Sequence, residues 1–191
     1  MARITFIILF ACVISLTPVS IRAQQKHSPS SRYNGYEGLV MCGYQGWFRA
    51  PGDASGDGWV HYGTQGKLDP THIHLDLWPV VSEYPQTYPS GFTNQDGSVA
   101  RVFSSWDAST TDVHFRWMEQ YGIDGVFVQR FFGATRTPQS RHKSRVILEN
   151  ALKASQAHGR AIAVMYDLSG LNANGEDCSS LSRIGKNWWM N

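Results

Sequence analysis

The sequence predicts an α/β fold, specifically the first half of a (β/α)8 TIM-type barrel with four parallel strands and outer helices. Apolar runs suited to buried strands alternate along the chain with amphipathic, helix-like segments, a pattern typical of a parallel sheet covered by helices. The strand-like runs recur roughly every 34 to 50 residues, which suits βα units with long loops. A complete barrel needs about 250 residues, and the chain has 191. We therefore expect residues 38–191 to form a partial, truncated barrel.

Four apolar segments are the predicted strands. Each is a short run bounded by glycine, proline or polar residues, as expected of a strand buried in a sheet. The four runs are Gly38–Tyr44, Ile73–Val80, Ile123–Phe131 and Ala161–Tyr166. The predicted loops are the Gly/Asp-rich stretch Ala50–Gly66 and the turn-rich stretch Thr87–Gly97.

Two segments show the apolar periodicity of helices. Thr111–Asp112 can cap the first, whose apolar side runs from Val113 and which Gly122 ends. Arg141–His158 is the second, and Gly159 follows it. The apolar stripe of the second helix is formed by Val146, Ile147, Ala151, Leu152 and Ala154.

Residues 1–23 have the three-part pattern of a secretory signal peptide. A positive start at Arg3 precedes the apolar run Ile4–Leu16, and the small Ala23 stands before polar residues. The run is too short to span a bilayer as a helix. We therefore expect a secreted or periplasmic protein with no membrane contact after cleavage, in which residues 24–37 form a flexible tether.

The three cysteines leave two questions open. A lipoprotein signal at Leu9–Cys12 is the alternative to a cleaved signal peptide, but it is disfavoured because Phe10 is bulky for that motif. Cys42 and Cys178 permit one disulfide, although the position of Cys42 inside a predicted strand favours a buried thiol. Neither cysteine has the spacing of a zinc site.

Charge and motifs exclude several classes of function. The chain has 17 Lys and Arg against 15 Asp and Glu, and Arg3 and Arg22 lie in the leader, so the remainder is balanced and predicts no nucleic-acid partner. The sequence contains no phosphate-binding loop, dinucleotide fingerprint or serine nucleophile elbow, and it predicts no cofactor. His72 and His74 open a predicted strand instead of closing it, so we expect no metal site.

The predicted strand ends carry aromatic and hydrogen-bonding side chains together. In parallel α/β folds the functional site lies at the carboxyl ends of the strands. Sugar C–H faces pack on aromatic rings, and sugar hydroxyls need paired donors and acceptors. A carbohydrate site is therefore predicted at this edge. Its candidate binding residues are Tyr44, Gln45, Trp47, Asp76, Trp78, Gln129, Arg130 and Tyr166.

The same residues have structural alternatives. A single tryptophan such as Trp47 or Trp78 is more often a packing residue than a platform for a sugar. Asp76 is able to cap a loop, and Arg130 is able to form an ion pair with Asp124 or Asp167. Their functional interpretation therefore depends on whether the fold brings them to one end of the sheet.

Long sequence blocks resemble secreted proteins of the glycoside hydrolase family 71/99-like group. The blocks are Met41–Phe48, Asp76–Pro79, Ser82–Tyr84, Phe103–Asp107, His114–Met118, Gly122–Phe131 and Val164–Gly170. The resemblance implies a (β/α)8 barrel that acts on glycosidic bonds, or that derives from proteins that do. In the related endo-α-mannosidases the catalytic carboxylates come from later in the barrel than this chain reaches. Glu83 and Asp167 are the best-placed carboxylates here, and we assign them as site-lining groups and candidates for catalysis.

Three hypotheses follow for the function of the chain, and the first two take a carbohydrate as substrate or ligand. The first is a glycoside hydrolase-like protein acting on a polysaccharide or glycan, represented by a fragment that lacks the main catalytic carboxylates. The second is a non-catalytic carbohydrate-binding or vestigial barrel protein. The third is a truncated product without a stable fold, because four strands leave an open sheet edge.

Overall fold

A computed structural model describes residues 32–169. In this part of the chain the elements are β1 (Met41–Tyr44), β2 (Tyr88–Thr93), β3 (Val99–Val102), α1 (Ala108–Gln120), β4 (Gly125–Phe131), α2 (Pro138–Ala157) and β5 (Ala161–Asp167), with a 3-10 turn at Phe132–Thr135 between β4 and α2. The predicted signal peptide, the first part of the tether and Cys178 lie outside the described residues. No helix between residues 32 and 169 is long and apolar enough to cross a membrane.

Within the described range, β1, β4 and β5 form a three-stranded parallel sheet with β4 in the centre. Met41 pairs with Gly125 at the start of β1, and Phe131 pairs with Asp167 at the end of β4 and β5. Since the strands are parallel, their carboxyl ends lie at one edge of the sheet. Three of the four predicted strands are therefore present, with bounds shifted by a few residues.

The fourth predicted strand, Ile73–Val80, is not a strand. Ile73 forms an isolated bridge with Gly63, and the side chains of Leu77 and Val80 are 86% and 80% exposed. Pro79 lacks the N–H that a strand in a sheet interior needs, so the segment follows an irregular path. An apolar run can reflect local packing instead of strand pairing.

The predicted loop Thr87–Gly97 contains β2 and leads into an antiparallel hairpin with β3. The turn closes through hydrogen bonds between Asn94 and Ser98, and Gly97 has a φ of +84°, a value that glycine adopts without strain. The prediction of four parallel strands with outer helices, as the first half of a TIM-type barrel, is therefore wrong. The described residues form a small α/β domain with a three-stranded parallel sheet, a two-stranded antiparallel sheet and two helices.

Both helices begin three residues or more before their predicted starts. Asp107 is the N-cap residue of α1, whereas the prediction used Thr111–Asp112. The first residue of α2 is Pro138, and Thr137 and Ser140 form a reciprocal capping box before it. Of the predicted stripe on α2, Ile147, Ala151 and Ala154 are buried, while Leu152 is 42% exposed.

Two apolar clusters hold the domain together. The first lies between the parallel sheet and the helices, and the second packs the hairpin against the loops that precede it. The first consists of Tyr44, Phe115, Met118, Val126, Val128, Ile147, Ala151 and Ala154. The second consists of Ala50, Tyr62, Leu68, Tyr88 and Val102.

Gly46, two residues after the end of β1, is packed tightly against α2. Its φ is +60°, and a Cβ there would lie 2.6 Å from Cγ2 of Ile147 on α2. Gly46→Ala should therefore lower the free energy of unfolding by about 2 to 4 kcal/mol, from left-handed strain and overpacking together. Urea denaturation measures the change. Gly43→Ala is the control, since a Cβ at Gly43 meets nothing within 4 Å; equal losses in both variants would contradict this account.

Candidate functional site

A row of hydrogen-bonded side chains crosses the carboxyl edge of the parallel sheet. Nε2 of Gln45, after β1, donates to Oε1 of Gln129 on β4 over 2.7 Å. Nε2 of Gln129 in turn donates to Oδ2 of Asp167 on β5 over 2.7 Å. We call Gln45, Gln129 and Asp167 the amide–carboxylate row. It joins side chains on β4 and β5 with that of the residue after β1, and the sequence placed each of them at a strand end.

Asp167 is the charged end of the amide–carboxylate row. Its Oδ1 accepts a hydrogen bond from the backbone N–H of Ser169 over 2.8 Å. Hydrogen bonds from Ser169 and then from Gln129 hold the pKa of Asp167 below its ordinary value. The carboxylate is therefore ionised at neutral pH and accepts hydrogen bonds without donating any.

Three stacked rings stand beside the row. The Trp47 ring lies 5.0 Å from that of His61 and 5.2 Å from that of Phe131, with interplanar angles of 27° and 29°. We call these three residues the aromatic wall. His61 is exposed and has a φ of +62°, a conformation that non-glycine residues rarely adopt and that recurs at functional sites. Trp47 is thus part of a stack and not an isolated platform.

Two cavities, each of about 200 Å³, open along the segment from Gln45 to Trp47. One extends towards α2 and is also lined by Gln129 and Phe131. The other extends towards α1 and is also lined by Tyr44 and His114. The amide–carboxylate row and the aromatic wall therefore border concave surfaces, which is the usual setting of a small-molecule site.

Tyr44 lies in the core below this edge. Its side chain is 8% exposed, and its hydroxyl lies 3.0 Å from Nδ1 of His114. Nε2 of His114 lies 2.7 Å from the Tyr84 hydroxyl. Burial raises the pKa of Tyr44 to about 12 and lowers that of His114 to about 4. At neutral pH the imidazole is therefore uncharged, and it links the two tyrosines as one donor and one acceptor.

Arg130 and Tyr166 lie on the face of the sheet opposite to Gln129 and Asp167, because side chains alternate along each strand. They are register partners on β4 and β5. Arg130 is 3% exposed, and its Nε donates to Oγ of Ser144 on α2 over 2.9 Å. Burial lowers the pKa of Arg130, and Tyr166 opposes that shift.

The remaining candidates form no hydrogen bond with the row among the described residues. Oε2 of Glu83 accepts from Arg116 over 3.0 Å in a solvent-accessible ion pair. The Trp78 indole N–H donates to the carbonyl of Arg101 over 2.9 Å, so the ring is held by the hairpin. Asp76 is exposed and hydrogen-bonds to no residue from 32 to 169. The predicted strand Ile73–Val80, which was expected to bring Asp76 and Trp78 to the sheet edge, does not form.

Sequence reasoning missed His61 and His114. The residues that contact their rings are up to 70 positions away in the chain, and no local spacing signals such pairs. His72, weighed as a metal ligand with His74, instead has Nδ1 2.8 Å from Oδ1 of Asp69. Within the described range no group of three or more His, Cys, Asp or Glu side chains converges as metal ligands would. Cys42 is a free thiol.

Comparison with known proteins does not extend this description. No model of a protein family matches the chain, and no curated protein is found to be similar to it.

His114 predicts a loss of stability in mild acid. Its pKa is about 4 in the folded protein against 6.5 for an exposed histidine, so the unfolded chain binds the additional proton between these values. The contribution of the neutral His114 to the free energy of unfolding is fully present above pH 6.5. It falls by about 3 kcal/mol as the pH drops to 4. Urea denaturation from pH 7.5 to 4 measures it.

His114→Gln should remove this loss, whereas His158→Gln should retain it. Burial lowers the pKa of His158, but the hydrogen bonds that its ring donates to Asp112 and Glu119 outweigh that effect and raise the pKa. His158 therefore stabilises the fold at low pH and loses that contribution as the pH rises through its raised pKa. An unchanged acid loss in His114→Gln would refute the assignment.

Proposed function

We propose that this protein binds a carbohydrate along the amide–carboxylate row, beside the aromatic wall. The observation that carries the proposal is the continuous hydrogen-bonded row of Gln45, Gln129 and Asp167 at one sheet edge. Saccharide hydroxyls each donate and accept, and amides next to a carboxylate match that requirement. The chain's resemblance to the glycoside hydrolase family 71/99-like group supports the same class of ligand.

Each part of the site has a distinct role in this proposal. The ionised Asp167 accepts a hydrogen bond from a sugar hydroxyl. Gln45 is exposed and offers the second N–H and the oxygen of its amide. Gln129 is bonded at both ends of its amide, so it positions its two neighbours. The rings of the aromatic wall pack against the C–H face of a sugar.

Binding is better supported than hydrolysis for the described residues. Glycoside hydrolysis generally uses two carboxyl groups about 5 to 9.5 Å apart, on either side of the scissile bond. Asp167 is one carboxylate at the row, but Glu83 is paired with Arg116. The function proposed is therefore that of a glycoside hydrolase-like, carbohydrate-binding protein. From the signal-peptide pattern of residues 1–23, we propose that the protein is secreted or periplasmic.

Gln129→Leu should weaken saccharide binding about tenfold or more, because it removes both hydrogen bonds that order the row. Isothermal titration with neutral xylo-, arabino-, manno- and gluco-oligosaccharides measures the affinity. Gln120→Leu is the control, since Gln120 is an exposed residue at the end of α1. The proposal fails if the wild-type chain binds no saccharide, or if the two variants bind alike.

Asp167→Asn should also weaken binding about tenfold, because a neutral amide is a poorer acceptor for a sugar hydroxyl than a carboxylate. Asp96→Asn is a matched control. The Asp96 side chain accepts from the backbone N–H two residues later over 2.9 Å, as Asp167 does, but it lies in the hairpin turn. A reducing-sugar assay on the same samples distinguishes binding from turnover. Equal affinities for the two variants would remove Asp167 from the site.

A further inference from the structure

The cavity towards α2 differs in charge from the rest of the sheet edge. It lies at the carboxyl end of β4, and it shares Gln45, Trp47 and Gln129 with the proposed carbohydrate site. Its other lining side chains include three cations, Arg49, Arg130 and Lys143, and two hydroxyls, Ser140 and Ser144. Among the described residues that line it, none is a carboxylate.

Arg49 is fixed in place at this cavity. It is 6% exposed, and its Nη1 donates to the carbonyls of Gly46 and Phe48 over 2.9 and 2.8 Å. Its buried Nε has no hydrogen-bond acceptor among residues 32–169. The nearest carboxylate oxygen recorded for it, on Asp57, is 3.9 Å away. A buried donor of this kind is costly unless an acceptor reaches it.

The other cations come from β4 and α2. Arg130 is held by Ser144, and Lys143 lies on the second turn of α2, which begins at Pro138. The positive end of a helix dipole favours an anion near its first turn. Arginine guanidinium and lysine ammonium groups are the usual partners of carboxylate and sulfate oxygens.

Three carboxylates lie near these cations without lining the cavity. Asp57 forms an ion pair with Lys143, and it acts with Asp53 and Asp107 on Arg49. These carboxylates oppose the lowering of the pKa of Arg49 by burial and compensate part of the positive charge. An anion that enters the cavity would therefore meet positive and hydroxyl groups, with the negative charges outside its lining.

We propose that this cavity binds the anionic substituent of the saccharide, so that the ligand is an acidic sugar such as a uronate. The inference rests on the proposed carbohydrate-binding function, because the cavity continues from the amide–carboxylate row. Its volume of about 200 Å³ lies below the roughly 300–1,000 Å³ of pockets for drug-sized ligands. It therefore suits one sugar ring or a ring substituent, while the rest of the oligosaccharide lies along the row.

Titration of the full chain with trigalacturonate and with its methyl ester tests whether the ligand must be anionic. The two ligands differ only in that the carboxylates are esterified, and so uncharged, in the second. The acid should bind about tenfold more tightly than the ester. Added sodium chloride should reduce the affinity for the acid and leave that for the ester unchanged. These two measurements need no variant and so do not depend on how a variant folds.

Lys143→Gln should remove most of the preference for the acid, whereas Arg145→Gln should retain it. Arg145 lies on the same helix and is 57% exposed at its side chain, near Glu149. Equal affinity for acid and ester overturns the inference and leaves carbohydrate binding intact. A preference that persists in Lys143→Gln overturns the assignment to this cavity. Failure of both trigalacturonate forms and of every neutral oligosaccharide to bind overturns the proposed function itself.

Discussion

The parallel register of three strands is the constraint on which the site depends. β4 is hydrogen-bonded to β1 on one side and to β5 on the other, so the last residues of all three reach the same edge. The register also determines the face that each side chain takes, because side chains alternate along a strand. Gln129 and Asp167 share one face, while Arg130 and Tyr166 share the other. A slip of one residue would exchange these sets and break the row.

The segment after β1 is held by packing and not by regular secondary structure. Gly46 passes so close to Ile147 that no side chain fits there, and Arg49 clamps two carbonyls of the same segment. Trp47 lies between Gly46 and Arg49 in the sequence, and its ring stacks with those of His61 and Phe131. The aromatic wall and the cavity towards α2 are therefore ordered before any ligand arrives, which reduces the entropy lost on binding.

The residues before α1 form a separate aromatic core that serves stability. Tyr62 is 1% exposed and donates to the carbonyl of Phe103, and Trp78 is held by the hairpin in a similar way. Glu83 remains at the surface with Arg116. Among the described residues, the row therefore includes Asp167 but not Glu83, the second carboxylate predicted from the sequence.

The sequence by itself determined the elements with strong local patterns, namely β1, β4, β5 and α2. It therefore also placed Gln45, Gln129 and Asp167 at or next to the carboxyl ends of strands. Such patterns are local because alternation, periodicity and capping involve residues close in the chain. Only the tertiary structure decided that Ile73–Val80 is irregular, that a hairpin replaces a predicted loop, and that His114 lies between two tyrosines. Those outcomes depend on contacts between residues tens of positions apart, and no local pattern encodes which distant partner a side chain will meet.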